Sequence, residues 1–152
     1  MRILVVSDTH GHVYRLEKAI RSQPDIDMMI HLGDGERDIE SVSHLLKVPV
    51  VAVCGNCDLY SALPECELLD VGGKRLYITH GYKEKVKYGD ALLRQMARNI
   101  NVDIALYGHT HVPVNDYDDG LFVFNPGSVR EGSFGFIDIL PSGIICIHSK
   151  VY

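Results

Sequence analysis

The chain has 152 residues, a formal charge of −5 and 46% hydrophobic residues, which suits one domain with a sizeable buried core. An acidic balance, with a pI of about 5.9, argues against a broad basic surface for nucleic acid, because such binding rests on neutralising phosphates. No apolar run approaches the ~20 residues of a membrane span. With no export signal at its start and four cysteines, a cytoplasmic, reducing setting with free thiols is expected.

Arg2–Ser7 is an apolar run of strand length, closed by the polar DTHGH. From Val13, the residues Leu16, Ala19 and Ile20 recur at helical spacing up to the QPD at 23–25. Met28–Leu32 reads as a second strand followed by GDGERD, and Ile39, Val42, Leu45 and Leu46 as a second helix face. Val50–Val53 is a third strand that runs into CGNCD. Strands joined by short helices imply a parallel sheet with right-handed crossovers. The remainder is richer in strand. Glu67–Val71 and Lys74–Thr79 flank Gly72-Gly73, a hairpin signal. Tyr88–Ile100 has a helical pattern, and Asp103–Tyr107 is another strand, ending in GHTH. Val114–Tyr117 pairs with Leu121–Phe124 around DDG, and Ser133–Leu140 with Ile144–Ser149 around Pro141-Ser142-Gly143. No repeat or linker divides the chain, so residues 1–152 are expected to form one α/β layered domain with mixed sheets.

Each polar cluster follows a strand. In open α/β sheets ligands bind beyond the carboxyl ends of the strands. Asp8, His10, Asp34, Asn56, His80, His109 and His111 are therefore expected at one edge. Seven oxygen and imidazole donors are too many for one tetrahedral zinc and enough for two ions if one carboxylate bridges. Two ions roughly 3.5–4 Å apart clamp an in-line displacement at phosphorus. The mixed donor set suits manganese, nickel, iron or zinc and needs no thiolate.

Six motifs then come in compact order: SDTHG at Ser7–Gly11, LGD at Leu32–Asp34, GNCD at Gly55–Asp58, THG at Thr79–Gly81, YGHTH at Tyr107–His111 and NPGS at Asn125–Ser128. Together they closely resemble the calcineurin-like metallophosphoesterases, in particular their small YfcE-type phosphodiesterase branch. The resemblance covers essentially the whole chain. It implies a two-sheet sandwich flanked by helices in four layers. It also implies a dinuclear metal-dependent phosphodiesterase in which a metal-bridging hydroxide attacks a small phosphodiester substrate. One metal would be held by Asp8, His10, Asp34 and His111. The other would be held by Asp34, Asn56, His80 and His109, with Asp34 as the bridge. Manganese is the expected metal.

The wider superfamily has G-N-H-[DE] where this chain has Cys57, as in the YfcE-type branch. In the wider superfamily that histidine lies near the substrate, and a thiol is a weaker donor without positive charge. Asp34, His109 and Cys57 are the expected catalytic positions, with His12 a further candidate for protonating a leaving group and otherwise a rim residue. Arg130 offers a bidentate phosphate contact or a surface salt bridge. Cys54 reads as a small core residue. His31 reads as a buried strand histidine and Asp58 as a loop or ligand-orienting carboxylate. YKEKVKYG at Tyr82–Gly89 offers a substrate-side lid or a solvated charge run. Two rivals accompany this reading. One is a non-catalytic scaffold of the same fold, as in the retromer scaffold subunit. The other is a thiol oxidoreductase built on Cys54 and Cys57. The sequence is compatible with a homo-oligomer.

Overall fold

In the computed structural model, residues 1–152 are all described. The first sheet has the order β10-β9-β1-β2-β3, and the second β4-β5-β6-β8-β7. In the first, β1 (Arg2–Val6), β2 (Met28–His31) and β3 (Val50–Ala52) are parallel neighbours. The hairpin of β9 (Ser133–Leu140) and β10 (Gly143–Lys150) joins antiparallel to β1. In the second, β5 (Lys74–Thr79), β6 (Ile104–Leu106) and β8 (Leu121–Asn125) are parallel. The antiparallel partners β4 (Cys66–Val71) and β7 (Val114–Asp118) close its two edges.

Strand alternation explains the layers. Ile3 and Val5 of β1 face inward with Ile30, Leu76, Ile78, Ile104, Leu106 and Phe124, forming the core between the sheets. Leu4 and Val6 face the other way, onto Leu16, Ala19 and Ile20 of α1 (Val13–Arg21) and Val42 of α2 (Glu36–Val42). Tyr77, Ala105 and Val123 cover the outer face of the second sheet against Leu93 and Ala97 of α3 (Ala91–Asn99). The architecture is the expected four-layer sandwich of two mixed sheets with flanking helices. No helix is long and apolar enough to cross a membrane.

Two helices are shorter than their patterns predict. The second breaks after Val42, and a tighter 3-10 turn, Ser43–Leu45, carries Leu45, while Leu46 follows in extended backbone. The third begins only at Ala91, because Gly89 sits at φ 119° and separates it from a 3-10 turn at Val86–Tyr88. An L side chain rarely adopts that backbone, so a helix cannot run through it.

Candidate metal centre

All seven predicted donors follow the carboxyl ends of parallel strands. Asp8 and His10 come after β1, Asp34 after β2, Asn56 after β3, His80 after β5, and His109 and His111 after β6. The loops are tied to each other by backbone hydrogen bonds. Asp8 N–H donates to the Gly33 carbonyl at 3.0 Å, His10 N–H to Asp34 at 3.1 Å, and Gly108 N–H to His80 at 3.1 Å. Five donors hold left-handed backbone: Asp8 (φ 53°), His10 (44°), Asp34 (59°), His109 (66°) and His111 (60°). Such a conformation costs an L residue roughly 1–2 kcal/mol, and clusters of it mark functional sites.

The donors converge in two groups. In the first, His111 Nε2 lies 3.1 Å from Asp8 Oδ1 and 3.3 Å from His10 Nε2. In the second, His80 Nε2 lies 3.1 Å from Asn56 Oδ1, 3.3 Å from Asp34 Oδ2 and 3.2 Å from His109 Nδ1. Asp34 Oδ2 is also 3.7 Å from His10 Nε2, which puts this carboxylate between the groups. The tautomers are set from outside. His80 Nδ1–H donates to the Leu32 carbonyl at 2.7 Å, and His111 Nδ1–H to Glu131 Oε1 at 3.2 Å. Each histidine thereby keeps its Nε2 lone pair for the centre.

Those inward atoms are nearly all acceptors. With His80 neutral and protonated on Nδ1, the lone pairs of its Nε2, of Asn56 Oδ1 and of Asp34 Oδ2 face one another with no proton between them. A cation among them relieves this. The same attraction shows in the protonation equilibria. Burial pushes His80 down, but Asp34 and Asp8 outweigh it and its pKa is raised. Burial works against the Asp34 charge, but the His80 imidazole and the Cys57 amide hold its carboxyl well below the usual carboxylate range. His109 is lowered by burial and by His80, favouring the neutral ligand form. The residues present thus fit divalent metals. Asp8, His10 and His111, Asp34, His80 and His109, and His10, Asp34 and Cys57 each bring ligand atoms within 4.8 Å of one another.

Residues that carried no ligand signal hold the centre in shape. Asp58 accepts four backbone N–H groups: Asp34 at 2.7 Å, Gly55 at 2.8 Å, Gly35 at 2.9 Å and Glu36 at 3.1 Å. It orients the Asp34 loop, and it touches no ligand histidine. Asp38 accepts from the Thr9 hydroxyl and from Gly11 N–H at 2.9 Å, fixing the loop after β1. Ser128 Oγ donates to the Asp8 carbonyl at 2.9 Å, and Asn125 Nδ2 to that of Gly108 at 3.0 Å. His31 is fully buried. Its Nδ1 accepts from Gly33 N–H at 3.1 Å, and burial lowers its pKa to about 4. Asp58 was within reach of the sequence as part of GNCD. Ser128 was likewise within reach as part of NPGS, whereas Asp38 and Glu131 act over gaps of 20 or more residues and leave no periodic trace.

Residues 1–139 match the family described as the calcineurin-like phosphoesterase superfamily domain. The chain belongs to that superfamily. It is 38% identical over 136 residues to the probable metallophosphoesterase MJ0623 of Methanocaldococcus jannaschii, covering 84% of this chain and 68% of that protein. It is 27% identical over 184 residues to the phosphodiesterase YfcE of Escherichia coli, covering 99% and 94%. These relatives support the YfcE-type branch. In fold it is similar to an archaeal phosphodiesterase (TM-score 0.78, 23% identity, 98% and 100% covered). It is likewise similar to Vps29 complexed with zinc from Entamoeba histolytica (TM-score 0.73, 22% identity, 99% of both chains). The family uses divalent metals.

The remaining predicted positions separate. Cys57 is exposed and flanks the centre through the His10–Asp34 group, with its N–H donating to Asp34 Oδ1 at 2.8 Å. Partial burial and the Asp34 charge raise its pKa, so it is a thiol at neutral pH. His12 is exposed at the start of α1, its Nδ1–H spent on the carbonyls of Thr9 and His10, each at 3.2 Å. Arg130 is exposed and makes no ion pair within 4.0 Å, while its N–H donates to the Asp8 carbonyl at 3.2 Å. Cys54 is half-buried beside Asn56 and lines a cavity, a correction to its reading as core. All four cysteines are free, and burial raises the Cys54 pKa, with Glu65 adding to it. Neither member of the C-x-x-C carries the lowered pKa of a reactive thiol.

Proposed function

We propose that the protein is a dinuclear metal-dependent phosphodiesterase. The observation that carries this is the position of Asp34 Oδ2, 3.3 Å from His80 Nε2 in one donor group and 3.7 Å from His10 Nε2 in the other. Asp8, His10, Asp34 and His111 would hold one divalent ion, and Asp34, Asn56, His80 and His109 the other. Manganese suits the oxygen and imidazole donors, and nickel, iron or zinc are chemically compatible. Bound ions at such a centre acidify water and neutralise charge on phosphoryl oxygens. The chain's own residues supply the geometry. Leu32 and Glu131 lock the imidazoles, Asp58 locks Asp34, and the buried floor excludes water beneath. His109, which lines the adjoining cleft together with Asn56, would steady the phosphoryl oxygens. Cys57, exposed beside His10 and Asp34, would offer its thiol as a hydrogen-bond donor to a leaving oxygen. His12 has its Nδ1–H committed to its own loop and would serve only through Nε2. Arg130 would meet substrate only by swinging its exposed side chain.

Asp34→Asn tests the bridge. Manganese-dependent cleavage of bis(p-nitrophenyl) phosphate should fall on the order of a hundredfold or more, with the circular dichroism spectrum retained. Metal analysis should give two ions per chain in the wild type and fewer in the variant. Normal turnover by the variant would sink the dinuclear assignment. The likeness in fold to Vps29 supports a second reading, a non-catalytic scaffold. Absence of bound metal, together with no cleavage of any mono- or diester, would favour that reading instead.

A further inference from the structure

The metal centre opens on one side into a cleft of about 800 Å³, with Asn56 and His109 at its inner end. Its outer wall is one short segment, which contributes Tyr82, Lys83, Lys85, Lys87 and Tyr88. In that segment exposed and buried residues alternate. Glu84 and Val86 point inward, 3% and 5% exposed, while the three lysines are exposed. Glu84 accepts from Tyr77 Oη at 2.6 Å and from Thr79 Oγ1 at 3.1 Å, which pins the segment to β5 beside His80. Val86 packs into the cluster beneath α3. The lysines are therefore displayed from a fixed support and not from a free loop.

Their charge is mostly uncommitted. Lys83 pairs with Glu65, but Lys85 and Lys87 have no carboxylate within 4.0 Å. This concentration of positive charge stands in a chain of net −5. The other flank of the centre, beyond His10 and Cys57, is lined by Glu36, Asp38 and Asp58 against a single Arg37. An anionic group next to the scissile phosphate is thus drawn to one side only. Two aromatic rings accompany the lysines. Tyr82 stands edge-on to His109, with ring centroids 5.5 Å apart, and Tyr88 is 92% exposed. Basic side chains interleaved with exposed aromatic rings bind phosphates and stack bases.

We propose that this segment is the recognition wall for a second phosphate and a base, making the preferred substrate a nucleotidyl phosphodiester that carries at least one further phosphate. The proposal rests on the phosphodiesterase reading of the neighbouring centre. Two p-nitrophenyl esters test it under manganese at low salt: p-nitrophenyl thymidine 5′-phosphate, and the same ester bearing a 3′-phosphate. Leaving group and scissile phosphate are shared, so the ratio of their kcat/KM values reads the second phosphate alone. The ratio should favour the 3′-phosphate on the order of tenfold, as two partly exposed charge contacts allow. It should fall toward one in the Lys85→Ala/Lys87→Ala double variant. Lys47→Ala/Lys150→Ala removes the same charge from exposed positions outside the cleft and should keep the ratio. Equal values for the two esters in the wild type overturn the proposal, and so does a preference that survives loss of Lys85 and Lys87. Titration calorimetry of thymidine 3′,5′-bisphosphate against thymidine 5′-monophosphate makes the comparison without turnover. A protein that prefers the bisphosphate yet cleaves neither ester overturns the phosphodiesterase reading and upholds the wall. No preference in binding overturns the wall whatever the turnover.

Discussion

His31 lies outside the seven candidate donors, in an environment that excludes water. It is fully buried between the loops of Thr9 and Gly33, and burial lowers its pKa from 6.5 to about 4 against the pull of Asp58, Asp8 and Asp38. The unfolded chain takes up a proton near pH 6.5 that the folded chain refuses until about pH 4. The stability that depends on a neutral His31 is therefore complete above pH 6.5 and is lost as pH falls from there to about 4. The loss should reach about 2 kcal/mol at pH 5 and about 3 kcal/mol in all. His31→Asn keeps an acceptor for Gly33 N–H and cannot protonate. Urea midpoints from pH 7.5 to 5 should fall more steeply for the wild type than for this variant. Parallel curves would mean that His31 is not held neutral. The convergence of the seven candidate donors was legible at this scale because Asp, Asn and His stood beyond apolar runs. The left-handed backbone of five of them was not, because it is fixed by long-range hydrogen bonds such as Asp8 N–H to the Gly33 carbonyl and His109 N–H to Asp8 Oδ2.

At the scale of elements, the loop after β2 and the loop after β3 act as one unit held by Asp58. Gly55 shows how closely they approach: a Cβ there would fall 2.0 Å from Asp34 Oδ1. Asp58→Asn tests the unit. One oxygen remains, but the new amide turns N–H groups toward two backbone N–H donors that have no other partner. Each donor left unpaired costs about 1–3 kcal/mol where it is buried. A misplaced Asp34 should lower kcat/KM by roughly 10–100-fold, the effect typical of groups that orient metal ligands. Metal content and kcat/KM measured on the folded variant decide it, and unchanged values for both would remove Asp58 from the machinery. The strands and their polar ends were legible as apolar runs with turn signals. The lysine-rich segment after β5 was only half legible. Its charge run hides an i, i+2 alternation in which Glu84 and Val86 are the anchors, and a buried carboxylate is rare without partners. Those partners, Tyr77 and Thr79, lie back in β5 and share no strand period with Glu84.

At the scale of the molecule, the centre is a seam between the two sheets. Asp8, His10, Asp34 and Asn56 follow strands of the first sheet, and His80, His109 and His111 follow strands of the second. Strand order was the part of the fold that patterning could not supply. The C-terminal β9 lies against β1 and β8 lies between β6 and β7, and such long-range pairing is set by the shared core. Because donors from both sheets must be in register to meet a cation, an ion that binds the folded chain and not the unfolded one stabilises the whole sandwich. At a free concentration of 100 times Kd, one such site contributes about 2.7 kcal/mol. For a chain of this length that corresponds to a rise in Tm of roughly 5–10 °C. Manganese added to chelator-stripped protein should produce that rise in scanning calorimetry. Asp34→Asn should lose most of it, since both donor groups share that carboxylate. A wild-type Tm that no divalent ion moves would mean that the seven residues meet without forming a site.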